Sequence, residues 1–236
     1  MKERDGSQHP GQHRPRMGLW ALVCFLGLCG FPGSSQGLDV DVLIEHMQQT
    51  YERTQALTAD FVQVATLTSI NRQQTSSGRV YIEKPYAIRW EYVQPDMQTI
   101  LYDGKTLRIY TPKKRQLLQS VLNEDQRTNV ALLFLAGVGN LRDAFTITPL
   151  PSPDERLAAL RLLPRSAQAG FTELHIGVNT RSHFIEKLTI HDTIGNLTEI
   201  QLSALEVHTD LPAQTFVLNV PPDTEILTPK DLSGHQ

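Results

Sequence analysis

Residues 78–112 alternate between apolar and polar side chains in the way expected of consecutive antiparallel strands. Val80 and Ile82 share one face of a first strand, because side chains in a strand alternate with a period of two. Turn signals divide the stretch at Lys84-Pro85, Gln94-Pro95-Asp96 and Asp103-Gly104. The stretch therefore predicts a four-stranded meander with one apolar face, and whatever covers that face bears on the function.

The rest of the sequence predicts more strands and a few helices. A helix is expected over residues 39–56, where Asp39 and Asp41 begin an amphipathic pattern, and the polar residues 71–77 are expected to turn the chain. Further strands are expected at 59–69, 115–122, 157–163, 171–178, 183–191 and 196–206, with a proline-rich loop around 149–153. About ten strands at roughly 8–12-residue spacing indicate a mainly β (α+β) fold, a curved antiparallel sheet or barrel.

Residues 1–37 are expected to be a cleaved signal peptide. Residues 17–31 form an uncharged apolar run that is shorter than the roughly 20 residues a bilayer-spanning helix needs, and Ser35-Gln36-Gly37 resembles a cleavage site. Such a segment would direct export of the chain and would be removed by cleavage before Leu38. A lipoprotein signal is the alternative, but Leu28 before Cys29 and Val23 before Cys24 fit it poorly, since a small residue is usual there.

Residues 38–228 are expected to form a single domain, and residues 229–236 a loose C-terminal tail. Both cysteines, Cys24 and Cys29, lie in the leader, so the exported chain has no thiol chemistry. Its 18 basic and 23 acidic residues give a net charge of −5. With no basic stripe, this composition argues against nucleic-acid binding.

The apolar run at 130–137 is open to two interpretations. It predicts a short helix over 128–136. In one interpretation the helix fills the sheet and completes a solid core. In the other, helix and sheet enclose a cavity for an apolar ligand, as open barrels can.

No catalytic, cofactor or metal site emerges from the spacing of reactive residues. Gly33 to Gly37 spells a nucleophile elbow but lies at the predicted cleavage site, and Gly104-Lys105-Thr106 reads as a hairpin turn rather than a phosphate loop. The histidines outside the leader, which form no sequence cluster typical of a metal site, are His46, His175, His183, His191, His208 and His235.

The order of these features resembles the outer-membrane lipoprotein carrier family (LolA). Residues 84–92 and 103–112 are the most specific part of the resemblance, which spans nearly all of the chain after the leader. The matching residues are Phe61 with Gln63; Gly78; Lys84-Pro85; Arg89-Trp90-Glu91-Tyr92; Pro95; Asp103-Gly104-Lys105-Thr106-Leu107; Tyr110 with Pro112; the Leu-rich stretch at 130–136; Asp192 with Gly195-Asn196 and Thr198; and residues 216–222 before Glu225-Ile226-Leu227.

The resemblance implies a strongly curved, unclosed antiparallel β-barrel with two to three helices over its apolar concave face. It implies a monomeric periplasmic chaperone, without enzymatic activity or cofactor. Such a chaperone accepts triacylated lipoproteins from an inner-membrane ABC transporter and passes them to an outer-membrane receptor lipoprotein.

The resemblance also assigns roles to residues of this chain. Lys84 stands where well-studied members have an arginine that ties the lid shut, and Arg89 is a candidate substitute for that arginine. The residues implied to bind acyl chains are Val80, Ile82, Ile88, Trp90 and Tyr92 on the sheet, with Leu132, Leu133, Phe134 and Leu135 in the lid.

Three other classes of function remain open from the sequence. A carrier of another amphiphile, such as a glycolipid, or an outer-membrane receptor would use the same fold, although a receptor should carry a lipid anchor. A periplasmic sensing module would typically add a second domain. A hydrolase would need a nucleophile and a base, which the sequence does not bring together.

Overall fold

A computed structural model describes residues 39–122, 141–166 and 170–229. The predicted leader 1–37, the predicted helix 128–136 and residues 230–236 of the predicted tail lie outside these ranges. Within them, no helix is both long enough and apolar enough to cross a membrane.

Two α-helices and twelve strands make up most of the described chain. The helices are α1 (Val40–Arg53) and α2 (Leu141–Ala144). The strands are β1 (Ala56–Leu67), β2 (Arg72–Glu83), β3 (Ala87–Gln94), β4 (Gln98–Asp103), β5 (Thr106–Thr111), β6 (Gln116–Val121), β7 (Phe145–Leu150), β8 (Leu157–Pro164), β9 (Phe171–Asn179), β10 (Ile185–Asp192), β11 (Leu197–His208) and β12 (Glu225–Leu227). Short 3₁₀ turns lie at Thr68–Ile70, Pro112–Lys114 and Ala213–Phe216.

The strands form one curved, unclosed sheet. Its order is β12-β6-β5-β4-β3-β2-β1-β11-β10-β9-β8-β7, and all neighbours are antiparallel except β12 and β6. The two edge strands, β12 and β7, are not paired with each other in the described part of the chain. The predicted mainly β, unclosed curved sheet is confirmed.

The predicted meander is confirmed as strands β2 to β5. Val80 pairs with Trp90 and Ile82 with Ile88, so the apolar positions of β2 and β3 fall on one face. We call this the inner face, and the face that carries Arg79, Tyr81, Arg89 and Glu91 the outer face. The predicted helix at 39–56 is also confirmed as α1, with the Asp39 side chain capping the amides of Asp41 and Val42.

Two sequence expectations were wrong in their local detail. Residues 72–77 do not turn the chain but extend β2, and the turn lies at 68–71, where Asn71 adopts a left-handed conformation with φ 48°. The proline-rich stretch does not begin as a loop, because Pro149 belongs to β7. Proline is tolerated there because β7 is an edge strand, where the missing amide interrupts no second ladder.

The core lies on the inner face of the sheet and extends across nearly all of its strands. Helix α1 packs against this face through four buried side chains, Leu43, Ile44, Met47 and Tyr51. From the second half of the sheet the core takes Leu160, Leu162, Leu174, Ile176, Val178, Leu188, Ile200 and Leu202. The inner face is therefore continuous across the junction of β1 with β11.

The chain after β11 crosses the outer face. We call residues 209–227 the C-terminal segment. The Leu211 amide donates to Glu83 Oε1 at 3.0 Å, and the Glu225 amide donates to the Arg115 carbonyl at 2.8 Å. These bonds carry the segment from β2 to the far edge of the sheet, where β12 pairs with β6.

Candidate functional site

The structure brings together all five sheet residues to which the family resemblance assigns acyl-chain binding. Val80, Ile82, Ile88 and Trp90 are buried on the inner face of β2 and β3, and Tyr92 is half-buried at its end. Opposed positions of antiparallel strands place their side chains on the same face, which is why the alternation in the sequence predicts this grouping.

Three aromatic rings form the centre of this surface. The Phe61 ring meets Trp90 edge-on at a centroid distance of 4.6 Å and Tyr92 edge-on at 4.9 Å, while Trp90 and Tyr92 stack at 6.4 Å. Edge-to-face contacts of this kind stabilise by about 0.5–1.5 kcal/mol beyond the area that they bury. We call Phe61, Trp90 and Tyr92 the aromatic cluster.

Gly78 makes room for the aromatic cluster. It pairs with Phe61 on one side and Tyr92 on the other. A Cβ atom at Gly78 would lie 1.8 Å from the Glu91 carbonyl oxygen and 2.9 Å from Cε1 of Phe61. Only glycine fits here, because both distances are far below van der Waals contact.

The polar atoms of the aromatic cluster differ in how they are satisfied. The Tyr92 hydroxyl donates to Gln63 Oε1 at 3.0 Å, and burial raises the pKa of Tyr92 to about 12. The indole Nε1 of Trp90 is buried and has no acceptor among the described residues. Such a donor costs about 1–3 kcal/mol unless a ligand or water accepts from it.

Beyond Tyr92 the inner face becomes polar. A cleft of about 300 Å³ opens there, with Gln63, Ser76 and Gln98 among its lining residues. Gln98 donates to the Thr111 hydroxyl at 3.2 Å. The site therefore has an apolar floor and a polar mouth, which is the division of chemistry that an amphiphile presents.

Lys84 joins the sheet to the helix that covers it. Its Nζ donates to the carbonyl oxygens of Tyr51 at 2.6 Å and Glu52 at 2.8 Å, in the last turn of α1. The Tyr51 carbonyl also accepts from the amide of the C-cap residue Thr54 at 3.2 Å, and the negative end of the helix dipole favours a cation beside both carbonyls. Burial lowers the pKa of Lys84, and the nearby Glu52 carboxylate partly offsets this effect.

Helix α1 has two further polar attachments. At its N-terminal end, Arg142 of α2 forms an ion pair with the Asp41 carboxylate and donates to the Asp41 carbonyl at 3.1 Å. Near its C-terminal end, the Tyr51 hydroxyl accepts from the Ile185 amide at 3.1 Å, and burial raises the pKa of Tyr51. The sequence indicates the amphipathic face of α1 but not these partners, which lie far along the chain on α2 and β10.

Arg89 lies on the outer face, away from α1. It pairs with Glu91, and its Nη1 donates to the carbonyl oxygens of Thr215 at 2.9 Å and Val217 at 3.1 Å. Its observed role is thus to hold the C-terminal segment against β3. A groove of about 660 Å³ remains between this segment and the sheet. The other predicted lid residues, Leu132, Leu133, Phe134 and Leu135, lie outside the described residues.

These features define a class of protein: a curved, unclosed β-sheet whose apolar concave face is covered by a helix. A solved structure of an uncharacterised conserved protein from Thermus thermophilus shares this fold. Its TM-score is 0.51 at 12% identity, over 80% of this chain and 98% of that chain.

Sequence comparison then identifies the family. The model for "Outer membrane lipoprotein carrier protein LolA" matches residues 52–219, and the chain belongs to this family. It is 28% identical to an outer-membrane lipoprotein carrier protein of Methylobacillus flagellatus, over 78% of this chain and 88% of that protein. It is 29% identical to the corresponding protein of Bordetella avium, over 74% of this chain and 82% of that protein.

Proposed function

We propose that this protein is a periplasmic carrier that binds the acyl chains of lipoproteins on its inner face and delivers them to the outer membrane. The aromatic cluster and its polar mouth carry this proposal. Acyl chains would lie against Phe61, Val80 and Trp90, while the glyceryl-cysteine head group would sit in the cleft beside Tyr92. The carrier names of the relatives support the same cargo.

The energetics favour such a carrier. Each CH₂ group of an acyl chain costs about 0.8 kcal/mol in water, so a lipoprotein with three chains does not cross an aqueous space unaided. A buried apolar face substitutes for the bilayer. The unpaired Trp90 Nε1–H would donate to an ester or amide carbonyl of the lipid, which would relieve the cost of its burial.

Cargo entry requires the cover to open. In the structure Val80 is 0% and Trp90 1% exposed, so this part of the inner face is closed to ligand. Lys84 and Arg142 attach the two ends of α1 through polar contacts. We propose that these attachments open when cargo arrives and that the buried side chains of α1 then yield their contacts to acyl chains. An inner-membrane ABC transporter would supply the cargo, and an outer-membrane receptor lipoprotein would accept it.

Tryptophan fluorescence gives a direct test of binding at this face. Once the proposed leader with Trp20 is removed, Trp90 is the only tryptophan. A synthetic triacylated lipopeptide with brominated acyl chains should quench Trp90 in a saturable manner, because bromine quenches on contact. The same peptide without acyl chains should not. Trp90→Ala should also lower the amount of lipopeptide that co-elutes with the protein.

A matched control moves the reporter to the outer face. Val93 is 58% exposed on that side of β3, so the double variant Trp90→Phe, Val93→Trp places a tryptophan beside the outer groove. Its emission should not change with the brominated lipopeptide. Quenching there but not at Trp90, or no binding at either position, would contradict the proposed site.

Delivery is tested with spheroplasts. The exported protein should release intact triacylated lipoproteins into a soluble complex that mass spectrometry identifies. Release of free lipid or glycolipid without polypeptide would show another amphiphile as cargo. Lipoproteins that stay membrane-bound, in cells whose own transporter releases them to their native carrier, would contradict the carrier function.

A further inference from the structure

Three side chains with metal-ligand chemistry meet on the outer face of the second half of the sheet. Glu173 and His175 are two residues apart on β9, and His191 pairs with Glu173 from the neighbouring strand β10. One ligand atom from each residue lies within 4.8 Å of the other two. The imidazole rings of His175 and His191 have a centroid separation of 4.9 Å.

Both oxygens of the carboxylate in this cluster have partners. Arg161 on β8 forms an ion pair with Glu173 Oε2, while Oε1 contacts Nε2 of His175. One carboxylate oxygen thus lies beside two imidazoles, and Arg161 holds the other oxygen from the neighbouring strand.

An unpaired ring nitrogen of His191 is independent evidence that this cluster binds a ligand. The Nε2 of His191 is buried and has no hydrogen-bond partner among the described residues. A buried ring nitrogen without a partner destabilises the fold, because it has lost its hydrogen bonds to water. A metal ion coordinated in this cluster would remove that cost, because neutral imidazole is a common metal ligand.

We infer that Glu173, His175 and His191 form a binding site for a divalent transition metal ion, with Zn²⁺ as the expected occupant. Two nitrogens and one carboxylate oxygen match the ligand set of zinc sites that keep a fourth position for water. Ligands of one tetrahedral zinc lie about 3.3 Å apart, so small side-chain rotations from the observed separations would complete the site. Arg161 would act as an outer hydrogen-bond donor that orients the carboxylate.

The inferred site is separate from lipid binding. Leu174, Ile176 and Ile190 on the same two strands belong to or pack on the core of the inner face, so the cluster faces the opposite direction. A bound ion would link β9 to β10 and, through Arg161, to β8. Its expected effect is to stabilise this half of the sheet without contact with cargo.

Zinc titration of the exported protein, purified without a histidine tag, tests the inference. Calorimetry and metal analysis should give one zinc per chain, and zinc should raise the melting temperature. His191→Gln should weaken zinc binding by more than about tenfold, because loss of even an outer hydrogen-bond partner of a ligand typically costs about 10–100-fold in metal affinity. If His191→Gln folds poorly, His175→Gln provides the same measurement.

The chain offers a matched control in a second pair of histidines. His46 and His183 also have rings 4.9 Å apart, and neither belongs to a described three-residue cluster of metal-ligating side chains. The double variant His46→Gln, His183→Gln should keep full zinc affinity. The inference is overturned if zinc does not bind, if affinity is unchanged in His191→Gln, if binding is lost in the control, or if one zinc binds per two chains.

Discussion

The ammonium nitrogen of Lys84 lies 2.6 Å from the carbonyl oxygen of Tyr51, so the turn after β2 is bonded directly to the last turn of α1. The same nitrogen reaches the Glu52 carbonyl. The helix over the inner face is therefore fixed from the sheet below it, at the end where its dipole is negative.

Lys84→Met should weaken the attachment of α1. The variant keeps most of the side-chain volume but loses two charge-assisted hydrogen bonds, so the free energy of unfolding should fall by about 1–2 kcal/mol. Urea unfolding measures this change. Lys105→Met, on the exposed β4–β5 hairpin, is the control and should leave the midpoint unchanged. Equal midpoints for all three proteins would show that the Lys84 bonds contribute no net stability.

The variant Lys84→Arg tests whether arginine, the residue that the family resemblance implies at this position, can replace lysine in this chain. The guanidinium group offers a planar fork of donors in place of a single ammonium, and two adjacent carbonyl oxygens can accept from it. We expect Lys84→Arg to keep the unfolding midpoint within error while Lys84→Met does not. A loss in both variants would mean that the compact ammonium group is required.

Arg89→Met should loosen the C-terminal segment without opening the inner face. Two carbonyl oxygens, of Thr215 and Val217, would lose their donor. Hydrogen exchange followed by mass spectrometry should show faster exchange in peptides covering 213–219, with peptides of α1 unchanged. Arg108→Met, which removes an outer-face ion pair with Asp103, is the control. Faster exchange in α1 would instead connect Arg89 to the cover.

Gly78→Ala should damage the fold more than any ordinary glycine substitution. Its Cβ would collide with backbone at Glu91 and with the Phe61 ring, so we expect a loss of about 3 kcal/mol or more, or no soluble protein. Gly195→Ala is the comparison. There φ is +88° but nothing lies within 4 Å, and the expected cost is about 1 kcal/mol of backbone strain. A milder effect at Gly78 would contradict the close approach.

Asp103 should contribute an acid-sensitive share of stability. Partial burial alone would raise the pKa of Asp103, but hydrogen bonds from Thr106, Lys105 and Arg108 outweigh it, and the folded pKa lies below the usual 3.8. Stability from this carboxylate is therefore present above the unfolded pKa and is lost as the pH falls through the folded pKa.

Asp103→Asn tests this pH dependence. Between about pH 6 and about pH 2.5, the parent protein should lose up to about 1 kcal/mol more than the variant, the effect being small because the side chain is partly exposed. Urea unfolding at the two pH values measures the difference. Arg108→Met removes one of three donors and should give an intermediate slope, whereas identical slopes would exclude Asp103 as the source.

The inner face could be predicted because the alternation that defines it is visible within a few consecutive residues. Val80, Trp90 and the turn at Asp103 follow from alternation and turn chemistry within a few residues. The first half of β2 was not, because residues 72–77 are polar on both sides. They form a strand because they pair with residues 62–67 of β1, and no periodicity within the segment predicts that pairing.

The roles of individual polar residues depend on the partners that distant elements supply. The sequence associates Lys84 with a cover but cannot reveal that its acceptors are the carbonyls of α1. Arg89 alternates with Trp90, which places it on the opposite face, yet its partners come from a segment 126 residues later. The cluster of Glu173, His175 and His191 forms only because β9 and β10 pair in one particular register. That register cannot be predicted from the spacing of the three residues in the sequence.

The pairing of β1 with β11 has a consequence for how the chain folds. Thr58 and His208, whose side chains meet at 3.2 Å, are 150 residues apart in sequence. Contacts of such long range form slowly. The entropy of closing a large loop is lost before the contacts contribute any favourable free energy. The centre of the sheet therefore cannot assemble until almost the entire polypeptide is available. A chain passing through a membrane N-terminus first would stay open until its last segments emerge, and truncation before β11 would leave β1 as an exposed edge prone to aggregation.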